Sequence, residues 1–244
     1  MLPQVNIIRA KNGDFLSFYE RAGISDVLTQ YGVWDELTIT LAKVLIDRTA
    51  AKPVIIDVGA NMGTFSIPIS KHIEMTEGVV HAFEPQRIIY YQLCGNIFLN
   101  RINNIYCHNI ALSNIDLISD VKPLDFHKSW NIGGYSLAEN TESPQPLNEK
   151  TEKISFKKMN DIELINTPTL IKIDVEGMEL EVLQGGLNLI RSSNFPPIMF
   201  EYNEGDPKGP IVLQLLMGLG YQIKKYADSD YLAQHPDFSN GIMI

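Results

Sequence analysis

Apolar residues in this chain fall in short blocks separated by turn residues. Val54–Val58 (VIIDV) is a nearly unbroken apolar run that ends at glycine. Gly78–Phe83 (GVVHAF), Ile105–Ile110, Leu170–Val175 (LIKIDV) and Pro197–Tyr202 are blocks of the same kind. Apolar runs of about four to eight residues bounded by glycine and proline predict strands buried on both faces, as parallel sheets require. Between these blocks the apolar positions recur three and four apart. That spacing predicts helices from Asn61 or Met62 to His72 and over Gln86–Asn100 and Met178–Ile190, and a further strand–helix pair follows at Gly209–Met217 and Tyr221–Tyr226. Lys153–Lys157 reads as a short strand and Met159–Ile165 as a helical turn, with the tail toward Ile244 as a last antiparallel strand. Strands and helices alternating this closely predict an α/β fold, a doubly wound, mostly parallel sheet with helices on both faces.

The rhythm breaks in two places. Residues 1–50 precede the first core strand and read as a helical cap, with an amphipathic helix near Glu36–Ile46 laid on one sheet face. The sheet domain then spans 51–244 and carries an insertion near 113–152, polar and interrupted by the turn Asn131–Ser136 (NIGGYS). Connections this long are commonly lids, so residues 119–150 are expected to close over a ligand. Trp130 and Tyr135 beside that turn suit stacking on a sugar ring, or plain anchoring of the loop. His127 in the same loop is a candidate base or a solvated histidine.

Composition narrows the partners. The chain has 244 residues, 45% hydrophobic and 20% charged, which fits one large domain with a small appendage. A formal charge of −9 argues against a nucleic-acid backbone or an anionic membrane as the main partner. The start, MLPQVNIIRA, lacks the pattern of a secretory signal, and no apolar run approaches the ~18 residues of a membrane span. Cys94 and Cys107 read as core thiols in a reducing compartment, so the expected location is cytoplasmic.

Two segments carry chemistry. In an open parallel sheet, ligands bind beyond the carboxyl ends of the strands, where strand order reverses. The turn after the first core strand holds Asp57, Gly59, Asn61 and Gly63. Its glycines permit a tight turn and a close ligand, and the following helix offers N–H groups to an anion. Glu84 closes the second strand, where a carboxylate can accept from both hydroxyls of a ribose. A dinucleotide would ask for G-x-G-x-x-G, and here the second glycine is replaced by Asn61. S-adenosylmethionine, which has no phosphate, suits the turn better.

The second segment is Leu170–Leu183, LIKIDVEGMELEVL. Lys172, Asp174 and Glu176 fall at a period of two, so an extended strand turns all three to one face. Buried charge is costly unless paired. The plain explanation is a structural Lys172–Asp174 ion pair with Glu176 in solvent. The functional one places Asp174 at the strand tip beside the methyl donor, with Glu201 on the next strand, as groups that position or deprotonate an acceptor. Asp174, Glu176 and Glu201 would alternatively hold a divalent cation, magnesium or manganese by their oxygen donors. Tyr31 and Trp34 precede the core and either fold over the cofactor or pack on the sheet.

Over most of Tyr31–Tyr226 the chain resembles the FkbM family of S-adenosylmethionine-dependent methyltransferases. The resemblance rests on Tyr31-Gly32-Val33-Trp34, Asp57-Val58-Gly59-Ala60-Asn61-Met62-Gly63, Ala82-Phe83-Glu84-Pro85-Gln86-Arg87, Asn96 to Asn100, Ala111-Leu112-Ser113, Asn131 to Ser136, and Lys172-Ile173-Asp174-Val175-Glu176-Gly177-Met178-Glu179. It implies a Rossmann-like class I methyltransferase fold, seven strands with the last antiparallel. The residues expected to bind S-adenosylmethionine are Asp57, Gly59, Ala60, Asn61, Gly63, Thr64, Glu84, Pro85, Ala111 and Asp174, and those expected to serve catalysis are Asp174, Lys172, Glu176 and Glu201. The expected activity is O-methylation of a hydroxyl on a sugar, glycan or secondary metabolite, a small-molecule or glycan acceptor rather than nucleic acid. A nicotinamide-dependent oxidoreductase and a non-catalytic cofactor-binding module are the competing readings.

Overall fold

The computed structural model describes residues 4–18, 23–48, 52–124, 151–203 and 205–238. Among them, β3 (Val54–Val58), β4 (Val79–Phe83), β5 (Ile105–His108), β9 (Leu170–Ile173) and β10 (Ile198–Glu201) form the parallel part of a seven-stranded sheet. The order is β11-β12-β10-β9-β3-β4-β5, and β12 (Asp230–Gln234) runs antiparallel to both β10 and β11 (Gln222–Lys225). The seventh strand is complete, and the fold is the Rossmann-like class I methyltransferase architecture expected.

Successive residues of β3 serve opposite layers. Ile55 packs with Ile39, Ala42, Leu45 and Ile46 of α2 (Glu36–Ile46) and with Ile69 and Ile73 of α3 (Ser66–Ile73). Ile56 and Val58 pack with Val182, Leu183 and Ile190 of α5 (Glu179–Ser192) and Val212 and Leu216 of α6 (Gly209–Gly218). Ile55 and Ile56 are both 0% exposed, and each such burial contributes about 1.5–3 kcal/mol. α4 (Arg87–Leu99) joins the first layer, its Leu93 and Ile97 meeting Ile67 and Ala82.

The N-terminal segment is not purely helical. It opens with a hairpin, β1 (Val5–Arg9) and β2 (Asp14–Phe18), before α1 (Gly23–Tyr31) and α2. The backbone of β2 is held by side-chain amides on one face of α4. Asn96 Oδ1 accepts from Leu16 N at 2.6 Å, Gln92 Nε2 donates to Leu16 O at 2.7 Å, and Asn100 both accepts from Asp14 N and donates to Asp14 O. Residues four and eight apart on a helix share a face, and these three stand in for a neighbouring strand.

The insertion differs from expectation at its edges. Leu117–Val121 is a strand (β7) paired antiparallel with β8 (Glu152–Lys158), and β6 (Ala111–Ser113) lies parallel on the other side of β8. Val121, Ile154, Phe156 and Ala111 close a small core with Met178, so 117–121 is part of a sheet rather than of a lid. A partner thirty-odd residues downstream supplies this pairing, and local polarity could not reveal it. Residues 125–150, with His127, Trp130, Tyr135 and the rest of the expected lid, lie outside the described residues.

Candidate active site

A cavity of about 670 Å³ opens beyond the carboxyl ends of β3, β4, β9 and β10. Strand order departs from β3 toward β4 on one side and toward β9 on the other, so this is the sheet's switch point. The wall is built from the turn after β3, the end of β4, Ala111 and Leu112, the exit of β9, Glu201, and Trp34 with Asp35 between α1 and α2. The Ala227–Asp230 turn before β12 completes it.

The turn after β3 is set by its backbone. Gly59, Asn61 and Gly63 all have positive φ (82°, 49° and 94°), and left-handed residues at alternate positions cannot propagate a helix. That is why α3 begins at Ser66 and not at Asn61 or Met62. A Cβ on Gly59 would lie 1.8 Å from the carbonyl oxygen of Asp174. This glycine is required by the crossing of two strand exits, not by a ligand's approach. A Cβ on Gly63 would strike Leu93 and Ile67 at 2.9 and 3.2 Å, so Gly63 packs toward α3 and α4 and does not line the cavity. Gly59, Ala60, Asn61 and Thr64 do.

Glu84 stands where a ribose-binding carboxylate was expected, on the wall and 5% exposed. Its Oε2 accepts from Asn61 N at 3.0 Å and its Oε1 from Gln86 N at 2.9 Å, tying the two turns at the cavity together. Burial pushes its carboxyl up to about 7, opposed by those two N–H bonds and aided by Asp57 and Asp174. Pro85 and Ala111 are also on the wall.

Asp57 is not. It is fully buried under the turn, where its Oδ2 accepts from Ser66 Oγ at 2.6 Å. On β9 its register partner is Lys172, whose Nζ lies 3.4 Å from Asp57 Oδ1 and 3.1 Å from Asp174 Oδ2, over the ring of Phe65. Burial raises the Asp57 carboxyl despite Lys172 and Ser66. Burial alone would depress the Lys172 ammonium, but Asp174 and Asp57 together outweigh it and hold the group charged.

The charged strand is shorter than its sequence suggests. β9 ends at Ile173, with Asp174 N bonded to Val58 O at 3.0 Å, and Glu176 is left-handed at φ 53°. The chain leaves the sheet because β3 ends beside it. The carboxylates nevertheless converge: oxygens of Asp174, Glu176 and Glu201 all lie within 4.8 Å of one another. Glu179 secures this loop, its Oε1 accepting from Val175 N at 3.3 Å and Gly177 N at 3.2 Å on either side of Glu176. Burial, then Glu201, Asp174 and Glu179, pushes Glu176 up to about 7. Glu201 is raised by burial and Asp174, and its Oε1 accepts from Ser229 Oγ at 3.1 Å.

The family model for the FkbM methyltransferase domain matches residues 57–223. The chain belongs to the FkbM methyltransferase family. Among curated relatives, the hexuronic acid methyltransferase AglP of Haloferax volcanii is 28% identical over 204 residues, 78% of this chain and 73% of AglP. Methyltransferase sdnD of Sordaria araneosa is 26% identical over 169 residues, 57% of this chain and 62% of sdnD. The solved structure of an FkbM methyltransferase from Methylobacillus flagellatus KT shares the fold with a TM-score of 0.52 at 18% identity, over 76% of this chain and 44% of that one.

In this FkbM methyltransferase several wall residues have no counterpart in the sequence reading. Gly23, Ile24 and Val27 of α1 line the cavity, as do Asp35, Asp228, Ser229 and Asp230. Asp35 caps α2 by accepting from Thr38 N and is itself left-handed, and Thr38 Oγ1 meets Tyr226 OH at 3.0 Å. That contact joins the N-terminal segment to the β11–β12 hairpin. The Asp228-Ser229-Asp230 run between two strands was the one local signal available. Of the aromatic pair, Trp34 is on the wall and Tyr31 is 58% exposed. No described histidine lines the cavity, and no helix among the described residues is long and apolar enough to cross a membrane.

Proposed function

We propose that this methyltransferase uses S-adenosylmethionine to O-methylate a hydroxyl of a sugar, glycan or secondary metabolite. The observation that carries the reading is the charge of the cavity. Asp35, Glu84, Asp174, Glu176, Glu201, Asp228 and Asp230 line it, and among the described residues Lys172 is the one basic group on the wall, already held by Asp57 and Asp174. A dinucleotide's pyrophosphate would meet like charge there, whereas a cofactor with a sulfonium and an ammonium is complementary. The sugar acceptor is suggested by AglP, which acts on a hexuronic acid.

S-adenosylmethionine, when bound, supplies a sulfonium methyl group open to in-line attack. In this reading Glu84 takes the ribose hydroxyls and the Gly59–Thr64 turn takes the amino-acid end. Glu176, raised to about 7, is placed to accept the acceptor's hydroxyl proton at neutral pH, as a general base should. Glu201 and Asp174 orient the acceptor, and Lys172 fixes Asp174. Alignment can supply about 7–11 kcal/mol of the barrier reduction, and a positioned base a further ~10²–10⁴ in rate. A divalent cation at Asp174, Glu176 and Glu201 would have to share Asp174 with the Lys172 ammonium 3.1 Å away, which competes with a metal for that carboxylate.

The experiment is calorimetric titration with S-adenosylhomocysteine and with NAD, followed by labelled methyl transfer to a panel of glycosides. Binding of NAD in preference would sink the methyltransferase reading of the cavity. Methyl transfer confined to nitrogen or carbon atoms would remove the O-methylation.

A further inference from the structure

Part of the cavity wall comes from the N-terminal segment, and one side chain behind that wall joins it to the turn after β3. Asn96 of α4 is fully buried and does not line the cavity. Its Nδ2 donates to Met62 O at 2.8 Å, in the turn that supplies Ala60, Asn61 and Thr64 to the wall. Its Oδ1 accepts from Leu16 N at 2.6 Å, on β2. An acceptor at one end and a donor at the other suit an amide; a carboxylate or an apolar side chain would leave one or both partners unmet. Next to Leu16, Ser17 Oγ is hydrogen-bonded to Ser25 Oγ of α1, and both serines are buried. Ser25 follows Ile24, which with Val27 lines the cavity. The apolar contacts run the same way. Phe15 of β2 and Leu28 of α1 share one buried cluster with Ala60 and Met62. The turn and α1 thus face the cavity from two sides and are tied to each other behind it.

We infer that Asn96 is a positioning residue of this site. It holds the turn and the α1 wall in one relative placement, so a ligand on the turn tightens the hairpin, and loosening the hairpin weakens the ligand. Coupling of this kind is reciprocal. The inference rests on the methyltransferase reading, which supplies the ligand. An amide that merely stabilised the fold would, when lost, lower stability and leave the affinity of the folded protein unchanged. A chain of bonds shows a route, and a coupling measurement shows that it is used.

The test uses the full chain and S-adenosylhomocysteine, with amide hydrogen exchange followed residue by residue by NMR. In the wild type, saturating ligand should slow exchange at Leu16 and Asp14, whose N–H groups α4 holds. The slowing should exceed that in β11, at the far edge of the sheet, by at least about fivefold, the lower end of ordinary coupling between sites. Asn96→Asp keeps the acceptor for Leu16 and loses the donor to Met62, and Asn96→Leu loses both. Each should abolish the extra protection and weaken S-adenosylhomocysteine about three- to tenfold by calorimetry, the scale of one neutral hydrogen bond. Asn100→Ala cuts the bonds to Asp14 N and Asp14 O and leaves Met62 bonded. It should weaken the ligand in the wild-type background and add nothing to Asn96→Leu. Extra protection that survives both Asn96 variants overturns the inference, as do effects of Asn96→Leu and Asn100→Ala that simply add. If neither Asn96 variant folds, unchanged affinity in folded Asn100→Ala overturns it. If S-adenosylhomocysteine does not bind the wild type, the methyltransferase reading falls and this one with it. If it binds and the variants match the wild type, only the role of Asn96 is wrong.

Discussion

Replacing Lys172 with methionine keeps the length and apolar stem of the side chain and deletes its charge. The consequence can be worked from its neighbours. Asp57 is 0% exposed and Lys172 8%. At 3.4 Å and an effective dielectric constant of about 20, their attraction is about 5 kcal/mol. The pair with Asp174 adds little, because that side chain is 44% exposed and screened by water. Asp57 limits the damage by binding a proton, so the net loss should be the about 3–5 kcal/mol typical of an orphaned buried charge. The pH dependence has a definite sign. Burial already holds the Asp57 carboxyl above its unfolded value, so its ionisation costs stability as pH rises through the folded pKa, and losing Lys172 enlarges that cost. The Lys172 ammonium is held above its ordinary value, so in the wild type its contribution persists through neutral pH and is lost only in alkali. The deficit of Lys172→Met should therefore shrink toward acid pH and grow as pH rises to neutral. Urea unfolding at several pH values measures it, and the double variant Lys172→Met/Asp57→Asn should recover more than half. A single variant within about 1 kcal/mol of wild type at every pH, or a double variant no better than the single, would refute the account.

Three further outcomes follow from the cavity. Glu84→Gln should weaken S-adenosylhomocysteine by about 1–3 kcal/mol. Burial pushes the Glu84 carboxyl up to about 7, so if its ionised form accepts the ribose hydroxyls, wild-type affinity should fall as pH drops below that value while the variant's stays flat; the same pH dependence in both would exclude Glu84 as the ribose ligand. Turnover should rise with pH through about 7 as Glu176 ionises, and Glu176→Gln should lose rate and this limb together at nearly unchanged cofactor affinity, whereas an unaltered limb moves the base elsewhere. Treatment with a chelator should leave turnover unchanged, and loss restored by magnesium would return the Asp174–Glu176–Glu201 cluster to a metal-binding role.

The strands of the core were legible because a strand buried on both faces must be apolar throughout, and five such runs with helical spacing between them admit few folds. The exact limits were not. α3 was expected from Asn61 or Met62 but starts at Ser66, since left-handed backbone at Asn61 and Gly63 is invisible in a pattern of apolar residues. The hairpin of β1 and β2 pairs locally but was missed because the outer edge of β2 is held by amides of α4 more than seventy residues away in sequence, and the β7–β8 pairing because neither strand predicts its partner.

The same division runs through the site. By itself the sequence determined the α/β fold, the turn that opens the cavity, Glu84 at the strand end and the charged run around Asp174, since each follows from local residue types and spacing. Tertiary structure alone decided which of those residues line the cavity. It buried Asp57 and Gly63 in packing and drew Lys172 across to Asp57. It also set Asp230 opposite Glu201 and brought Asp35 in from the N-terminal segment. Charge acts through space, so the electrostatic character of the cavity exists only once the strand ends meet.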